Sequence, residues 1–257
     1  MSGCAYGETV EPDPPIGIHL ASGWESTSRP LVVAPSYPAP DVGRVGDRVP
    51  VRVLFIGRGA AGHSEAFWDA LRVGGADPML GLGEDQVLFD ILPLSDTTNA
   101  NRAEEVTLPT DPAAVPGLIP WVRVILTSPL VLNAGGDGGK KRLIERPTFA
   151  DLLRAGLRVL GPLFRCYGNA LPEPVFATVK QLAGSVPTLQ TRFGVVGQTK
   201  SSHRTGDRWE VRGIVGHGEY GPVPLGLLPW LEWAGRLHVG THRVAGAGGW
   251  RVEKPEV

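Results

Sequence analysis

Val51, Val53 and Phe55 alternate with Arg52 and Leu54, and that period of two predicts a strand over residues 49–56. Ser64 then predicts a cap for a helix beginning at Glu65, with Phe67, Leu71 and Val73 on its buried side. Gly74-Gly75 ends that helix, and Gly81-Leu82-Gly83 makes a turn before a strand over residues 86–92. Before these elements, residues 1–48 are rich in Pro and Gly and read as extended; after them, residues 93–117 read as a linker.

Residue 121 opens a strand that runs to about residue 132. The glycine-rich stretch 134–139 follows as a flexible loop feeding Lys140-Lys141-Arg142. Phe149, Leu152, Leu153, Leu157 and Leu160 recur at helical spacing behind Thr148, a cap candidate. On that helix Arg154, Arg158 and Arg165 fall within about 40° of one another, on a different face. Pro162 predicts a kink or an early end. A short helix over 174–182, strands over 188–196 and 209–215 joined by a polar loop over 197–207, a helix over 223–235 and a strand over 250–253 complete the chain. The order strand, helix, strand, strand, helix, strand is the split βαβ pattern of ferredoxin-like domains. The first half, with strand, helix, strand, reads as part of a similar unit.

Charge sharpens this division. The net charge is −1, but residues 1–116 hold 7 basic and 16 acidic residues, net −9, and residues 117–257 hold 18 and 10, net +8. Such asymmetry suits an acidic half facing protein and a basic half facing nucleic acid or membrane. We expect domains at 1–116 and 117–257, an ordinary pair of sizes. Hydrophobic content of 42% fits a soluble globular protein. No apolar run is long enough to span a membrane. The start has neither a basic nor an apolar signal region. Cys4 and Cys166 form neither a disulfide framework nor a zinc site, so a reducing cytoplasm is the expected setting.

The candidate chemistry lies mainly in the basic half. Gly246, Gly248 and Gly249 are interleaved with Arg243 and Arg251 near the C-terminus; glycines let backbone amides approach a ligand, and arginines suit phosphate. Lys140, Lys141 and Arg142 form the densest cationic cluster. Arg154 and Arg158 on the long helix, and Lys200 and Arg204 in the polar loop, are further candidate contacts to nucleic acid, although such clusters also read as a solvated surface. Of the six histidines, His203 beside Lys200 and Arg204 and His242 beside Arg243 are the candidates for moving protons; each also reads as a solvated loop histidine. His217 and His238 read as packing residues. Trp209 and Trp250 can stack on bases, but strand tryptophans belong more often to the core. No metal-ligand cluster is present and no cofactor is expected. Gly57-Arg58-Gly59-Ala60-Ala61-Gly62 fits a dinucleotide fingerprint, though its βαβ context is incomplete.

Several blocks resemble a known family. Arg29-Pro30-Leu31-Val32-Val33, residues 46–57 with the helix over 66–73, and Gly81-Leu82-Gly83 are similar to N-terminal segments of the CRISPR-associated endoribonucleases that process precursor CRISPR RNA, members of the RAMP superfamily. Residues 127–132, 147–153 and 201–216 resemble their C-terminal domain, and Gly246-Ala247-Gly248 with Trp250-Arg251 resembles their glycine-rich loop. The resemblance implies an α+β fold of tandem ferredoxin-like (RRM-like) domains, the N-terminal one incomplete here because only 28 residues precede the first block. It implies a CRISPR repeat stem-loop RNA as ligand and metal-independent cleavage by 2′-OH attack, leaving a 2′,3′-cyclic phosphate. It also implies other CRISPR effector-complex subunits as partners, through the acidic half. A non-catalytic subunit that binds crRNA on the same fold is the alternative, and an unrelated nucleotide-binding protein the third.

Overall fold

A computed structural model of the chain describes residues 29–35, 46–77, 88–92, 104–135, 141–201 and 208–256. In the first half, β1 (Leu31–Pro35) pairs antiparallel with β2 (Val51–Phe55), Leu31 opposite Phe55. Two helices follow, α1 (Arg58–Gly62) and α2 (Ser64–Ala76). The predicted strand is present. The predicted helix starts one residue early, with His63 rather than Ser64 in the cap position. It also continues through Gly74-Gly75. Gly75 is needed for close approach, not termination: its carbonyl accepts from the Phe89 amide at 3.0 Å, and a Cβ there would strike the Phe89 carbonyl. Val73 points to solvent, 68% exposed, and residues 88–92 form no strand. The turn at residues 81–83 lies outside the described residues. The Gly57–Gly62 fingerprint forms α1, and β2 pairs antiparallel with β1. The parallel βαβ unit that a dinucleotide site requires is therefore not formed among the described residues.

Of the predicted linker, residues 93–103 lie outside the described residues, and residues 104–117 have no helix or strand but are laid on the core. Leu108 is buried, and Pro112 packs against Gly226. The short pair β3 (Leu118–Ile119) and β9 (Val223–Pro224) then ties this segment to the second half.

There the chain runs through β4 (Val122–Leu126), β5 (Asn133–Gly135), β6 (Lys141–Leu143), α3 (Phe149–Tyr167), α4 (Glu173–Gly184), β7 (Thr188–Ser201), β8 (Arg208–Tyr220), α5 (Leu228–Arg236) and β10 (Trp250–Glu253). The four-stranded antiparallel sheet has the order β10-β4-β8-β7. Numbered along the chain this is 4-1-3-2 with two crossovers, the arrangement expected from the split βαβ pattern. Thr148 caps α3: its hydroxyl accepts from the Asp151 amide at 3.2 Å, and Asp151 Oδ2 accepts from the Thr148 amide at 3.0 Å, a reciprocal capping box. The predicted apolar face of α3 is buried throughout. Pro162 does not end the helix. It removes the bond to the carbonyl of residue 158, which lies on the exposed face where water can satisfy it, while Pro162 itself fills the core. Of the stretch expected to be a loop, Ala134 and Gly135 lie in β5 and pair with Arg142 and Lys141 of β6, while residues 136–140 lie outside the described residues. The β7–β8 hairpin is also longer than expected, pairing out to Ser201 opposite Arg208.

The core lies between the sheet and α3 and α5. Val122, Val124, Leu126, Tyr220 and Trp250 face the helices. The Phe149 and Tyr220 rings meet at 5.7 Å, and the Trp250 indole donates to the Leu231 carbonyl at 3.0 Å. Trp250 is thus a core residue, not a base platform.

Candidate nucleic-acid interface

Strand alternation assigns the side chains that the helices do not cover. With Val122, Val124 and Leu126 inward, Arg123 and Ile125 of β4 lie on the other face of the sheet. Their register partners lie there too. One row runs Arg251, Ile125, His217, Arg192 across all four strands, and the next runs Glu253, Arg123, Glu219, Gln190. At about 4.8 Å between strands, the first row carries cations at both ends of a span of about 14 Å. In the second row Arg123 binds Glu219 at 2.6 Å and reaches Glu253 at 3.6 Å. Glu253 also receives Arg251 at 2.9 Å. The carboxylates thereby hold the guanidinium groups in place on a face that none of the described helices covers. Arg123 lies 6.0 Å over the Trp121 ring as well. Sequence reasoning missed Arg192, Arg123 and the place of His217 in this row. The signal was available for Arg123 in the alternation along β4 and for His217 in that along β8.

Arg154 and Arg158 lie elsewhere. They are exposed on the outer side of α3, the layer behind the sheet, and Arg154 is 3.5 Å from Asp151. Arg154 and Arg158 therefore lie on a different layer from Arg251. Arg142 is exposed on β6, and the root of its hairpin is tied to the glycine segment: Asn133 Nδ2 donates to Thr241 Oγ1 at 3.4 Å. That brings the hairpin beside His242, which is half-buried in a left-handed conformation at φ 63°. The His242 carbonyl accepts from Ala245 N at 3.0 Å and Ala247 N at 3.3 Å. Lys140, His203 and Arg204 lie outside the described residues. Lys141 and Lys200 are described for their backbone alone, in β6 and β7.

The glycine-rich segment corrects a central expectation. It is not an open cradle, because its amides are already bonded within the protein. Gly246 N donates to the Arg243 carbonyl and Gly248 N to the Pro129 carbonyl, both at 2.9 Å, and Gly249 N donates to Ser128 Oγ at 2.9 Å. All three glycines are buried. Arg243 is buried as well, 8% exposed: Nε donates to the Leu237 carbonyl and Nη1 to the Arg29 carbonyl, each at 2.9 Å. Burial pushes its pKa down to about 10. Arg243, Gly246, Gly248 and Gly249 thus offer no contact to a ligand from the surface. His238 is packed under the same segment, as expected of a structural histidine. Burial pushes its pKa down to about 4, and the charges of Arg52 and Arg243 add to that against its bond with the Ala247 carbonyl at 3.2 Å. Tyr167 at the end of α3 is pushed up to about 12 by burial. Among the described residues no group of three or more His, Cys, Asp or Glu is placed to hold a metal ion, and no helix is long and apolar enough to cross a membrane.

No family model and no curated protein matches the sequence. Solved structures do. A Cas6 (TTHB231) product complex matches with a TM-score of 0.60 at 16% identity, over 89% of this chain and 84% of that one. Thermus thermophilus Cas6 (TTHB231) matches over 87% of this chain and 79% of that one at 11% identity and a TM-score of 0.42. A partial Cas6-RT-Cas1–Cas2 complex matches over 88% of this chain and 39% of that one at 14% identity and a TM-score of 0.48. The resemblance read in the sequence is therefore met at the level of fold: the chain has a Cas6-like α+β fold.

Proposed function

We propose that the chain is an endoribonuclease that cleaves precursor CRISPR RNA at its repeat stem-loop. The reading is carried by the shared fold with Cas6 solved as a product complex, over 89% of the chain. The ordered sequence blocks from Arg29 to Arg251 support it, as does a basic half of net charge +8. The division at residue 116, with a reduced ferredoxin-like unit before a complete one, belongs to the same proposal. So do a cytoplasmic setting and an acidic half turned toward other effector-complex subunits.

Cleavage on this reading needs no metal. The 2′-oxygen loses its proton and bonds to the adjacent phosphorus as the bond from phosphorus to the 5′-oxygen breaks. The departing oxygen takes up a proton, giving a 2′,3′-cyclic phosphate and a 5′-hydroxyl. Proton transfer falls to His242, held beside the β5–β6 hairpin, and to His203. Cations from Lys140, Lys141, Arg142, Lys200, Arg204, Arg192 and Arg251 neutralise the backbone and the charge on the phosphorane. A second reading, a non-catalytic crRNA-binding subunit, is favoured by the small first half, whose described strands form a two-stranded sheet.

A labelled repeat hairpin incubated with the chain in EDTA tests both. Cyclic-phosphate product, reduced about 100-fold or more in His242→Ala or His203→Ala, supports the enzyme. Salt-sensitive binding without product supports the subunit, and absence of binding overturns both. The salt dependence also separates the two surfaces. Arg192→Ala and Arg251→Ala should each lower the slope of log K against log salt by about 1, and Arg154→Ala and Arg158→Ala should not.

A further inference from the structure

The glycine segment has a different role once its amides are accounted for. Arg243 bonds carbonyls 6 and 214 residues away, Leu237 in its own loop and Arg29 just before β1. Beside it, Gly246 sits at φ 80° against β1. A Cβ there would stand 2.6 Å from the Val33 carbonyl and 2.8 Å from Ala34 Cα, so this position must be glycine for β1 to lie where it does. Leu31, Val32 and Ala34 of β1 are buried. A second seam closes nearby: Gly57, immediately before α1, packs on Tyr167 at the end of α3, with a Cβ position 3.0 Å from Tyr167 Cβ. Tyr167 and Arg243 also influence each other electrostatically. Burying a guanidinium on neutral carbonyls is costly. Here it joins the loop after α5 to the residue two before β1, from opposite ends of the chain.

We propose that Arg243 is a positioning residue: it locks the β1–β2 sheet against the C-terminal sheet. Resting on the functional reading above, it thereby fixes the backbone of its chain neighbour His242 between the β1–β2 sheet and an RNA held by the basic half. Arg243 touches neither substrate nor reacting atoms. It acts through the orientation of the two halves.

The test uses Arg243→Met, which keeps length without the donors, and Gly246→Ala, which presses on β1 with Arg243 intact. Spin labels on Val73→Cys and Leu189→Cys, exposed positions in the two halves, report their separation in a Cys4→Ser, Cys166→Ser background. Both variants should broaden the distance distribution at least about twofold while the circular dichroism of the folded chain is kept. Hairpin affinity should change less than about threefold, while single-turnover cleavage falls about 100-fold, the scale of a 1 Å misplacement. Unchanged distance distributions in both variants overturn the proposal. So does a fall of affinity and rate by the same factor. Should Arg243→Met fail to fold, Gly246→Ala still decides. Wild-type protein that neither binds nor cleaves the hairpin removes the functional reading alone, because the label distances still judge the joint.

Discussion

The two halves solve the burial problem differently. The second half closes a four-stranded sheet under two helices and fills the space with Phe149, Leu152, Leu153, Leu160, Tyr220, Trp230 and Trp250, each under 5% exposed. Among the described large apolar residues of the first half, Leu31, Val32 and Leu108 are buried, Leu108 against the core of the second half, and the rest are half-buried or exposed. Its aromatic contacts, Phe55 with Phe67 and Phe67 with Trp68, each at 5.5 Å, join partly covered rings. A two-stranded sheet with that little cover is marginal alone. Its most buried strand, β1, lies against the glycine segment of the other half. The difference teaches that the first half borrows its stability from the second, and that the borrowing runs through residues 237–249.

The largest effect should come from emptying the core that does the lending. Phe149→Ala is expected to cost about 3–5 kcal/mol, the range for a fully buried phenylalanine. Phe67→Ala in the first half should cost about 1 kcal/mol. Hydrogen exchange tells the halves apart. Phe149→Ala should accelerate exchange of the paired amides in both β1–β2 and β4–β8, and Phe67→Ala in β1–β2 alone. Protection of β1–β2 that survives in Phe149→Ala would mean the first half folds unaided and borrows nothing from the second.

His238 gives the next effect, at the boundary itself. Its pKa falls from an ordinary 6.5 to about 4 in the folded chain, through burial first and the charges of Arg52 and Arg243 after it. For a base with a depressed folded pKa the unfolded state binds the extra proton. Stability is therefore complete above about pH 6.5, declines as pH falls toward 4, and is level below that. The loss attributable to this residue is at most about 3 kcal/mol. His238→Asn removes the titration and tolerates the left-handed backbone at φ 58°. Urea midpoints from pH 7 to pH 4 should fall less steeply in the variant. Parallel profiles would show that His238 does not carry the acid sensitivity.

What the sequence reveals follows the same divide. α3 is legible because its period, its cap and its buried face agree, and β10 runs over the residues expected, Trp250–Glu253. Local signals mislead where a distant partner decides. Gly74-Gly75 looks like a helix stop until Phe89 is seen against it. Pro162 looks like a break until the core around it is seen. Gly246, Gly248 and Gly249 look like an anion cradle because composition cannot show that Arg243, Pro129 and Ser128 have taken their amides. Arg243 reads as a phosphate ligand for the same reason. Its two carbonyl partners, one of them 214 residues away, exist only after folding. The row from Arg251 to Arg192 needs strand register, which alternation narrows but does not fix.

The smallest effect sharpens the comparison by contrast. Arg236 at the end of α5 bonds Glu104 of the linker at 2.6 Å, a second tie between the segment leaving the first half and the body of the second. Both side chains are about half exposed, 52% and 55%, so water and salt screen the pair and two long side chains lose freedom to form it. A double-mutant cycle of Arg236→Ala and Glu104→Ala should return a coupling of about 0.2–1 kcal/mol, fading as salt is raised. Hydrogen exchange in β1–β2 should stay as in the wild type in either single variant. The short distance alone would suggest a strong clamp; burial argues otherwise, because a bond at the surface replaces an equally good one to water. A coupling well above 1 kcal/mol, or loosened β1–β2 amides in Glu104→Ala, would shift the attachment of the first half from the buried contacts of Arg243 and Gly246 to this exposed pair.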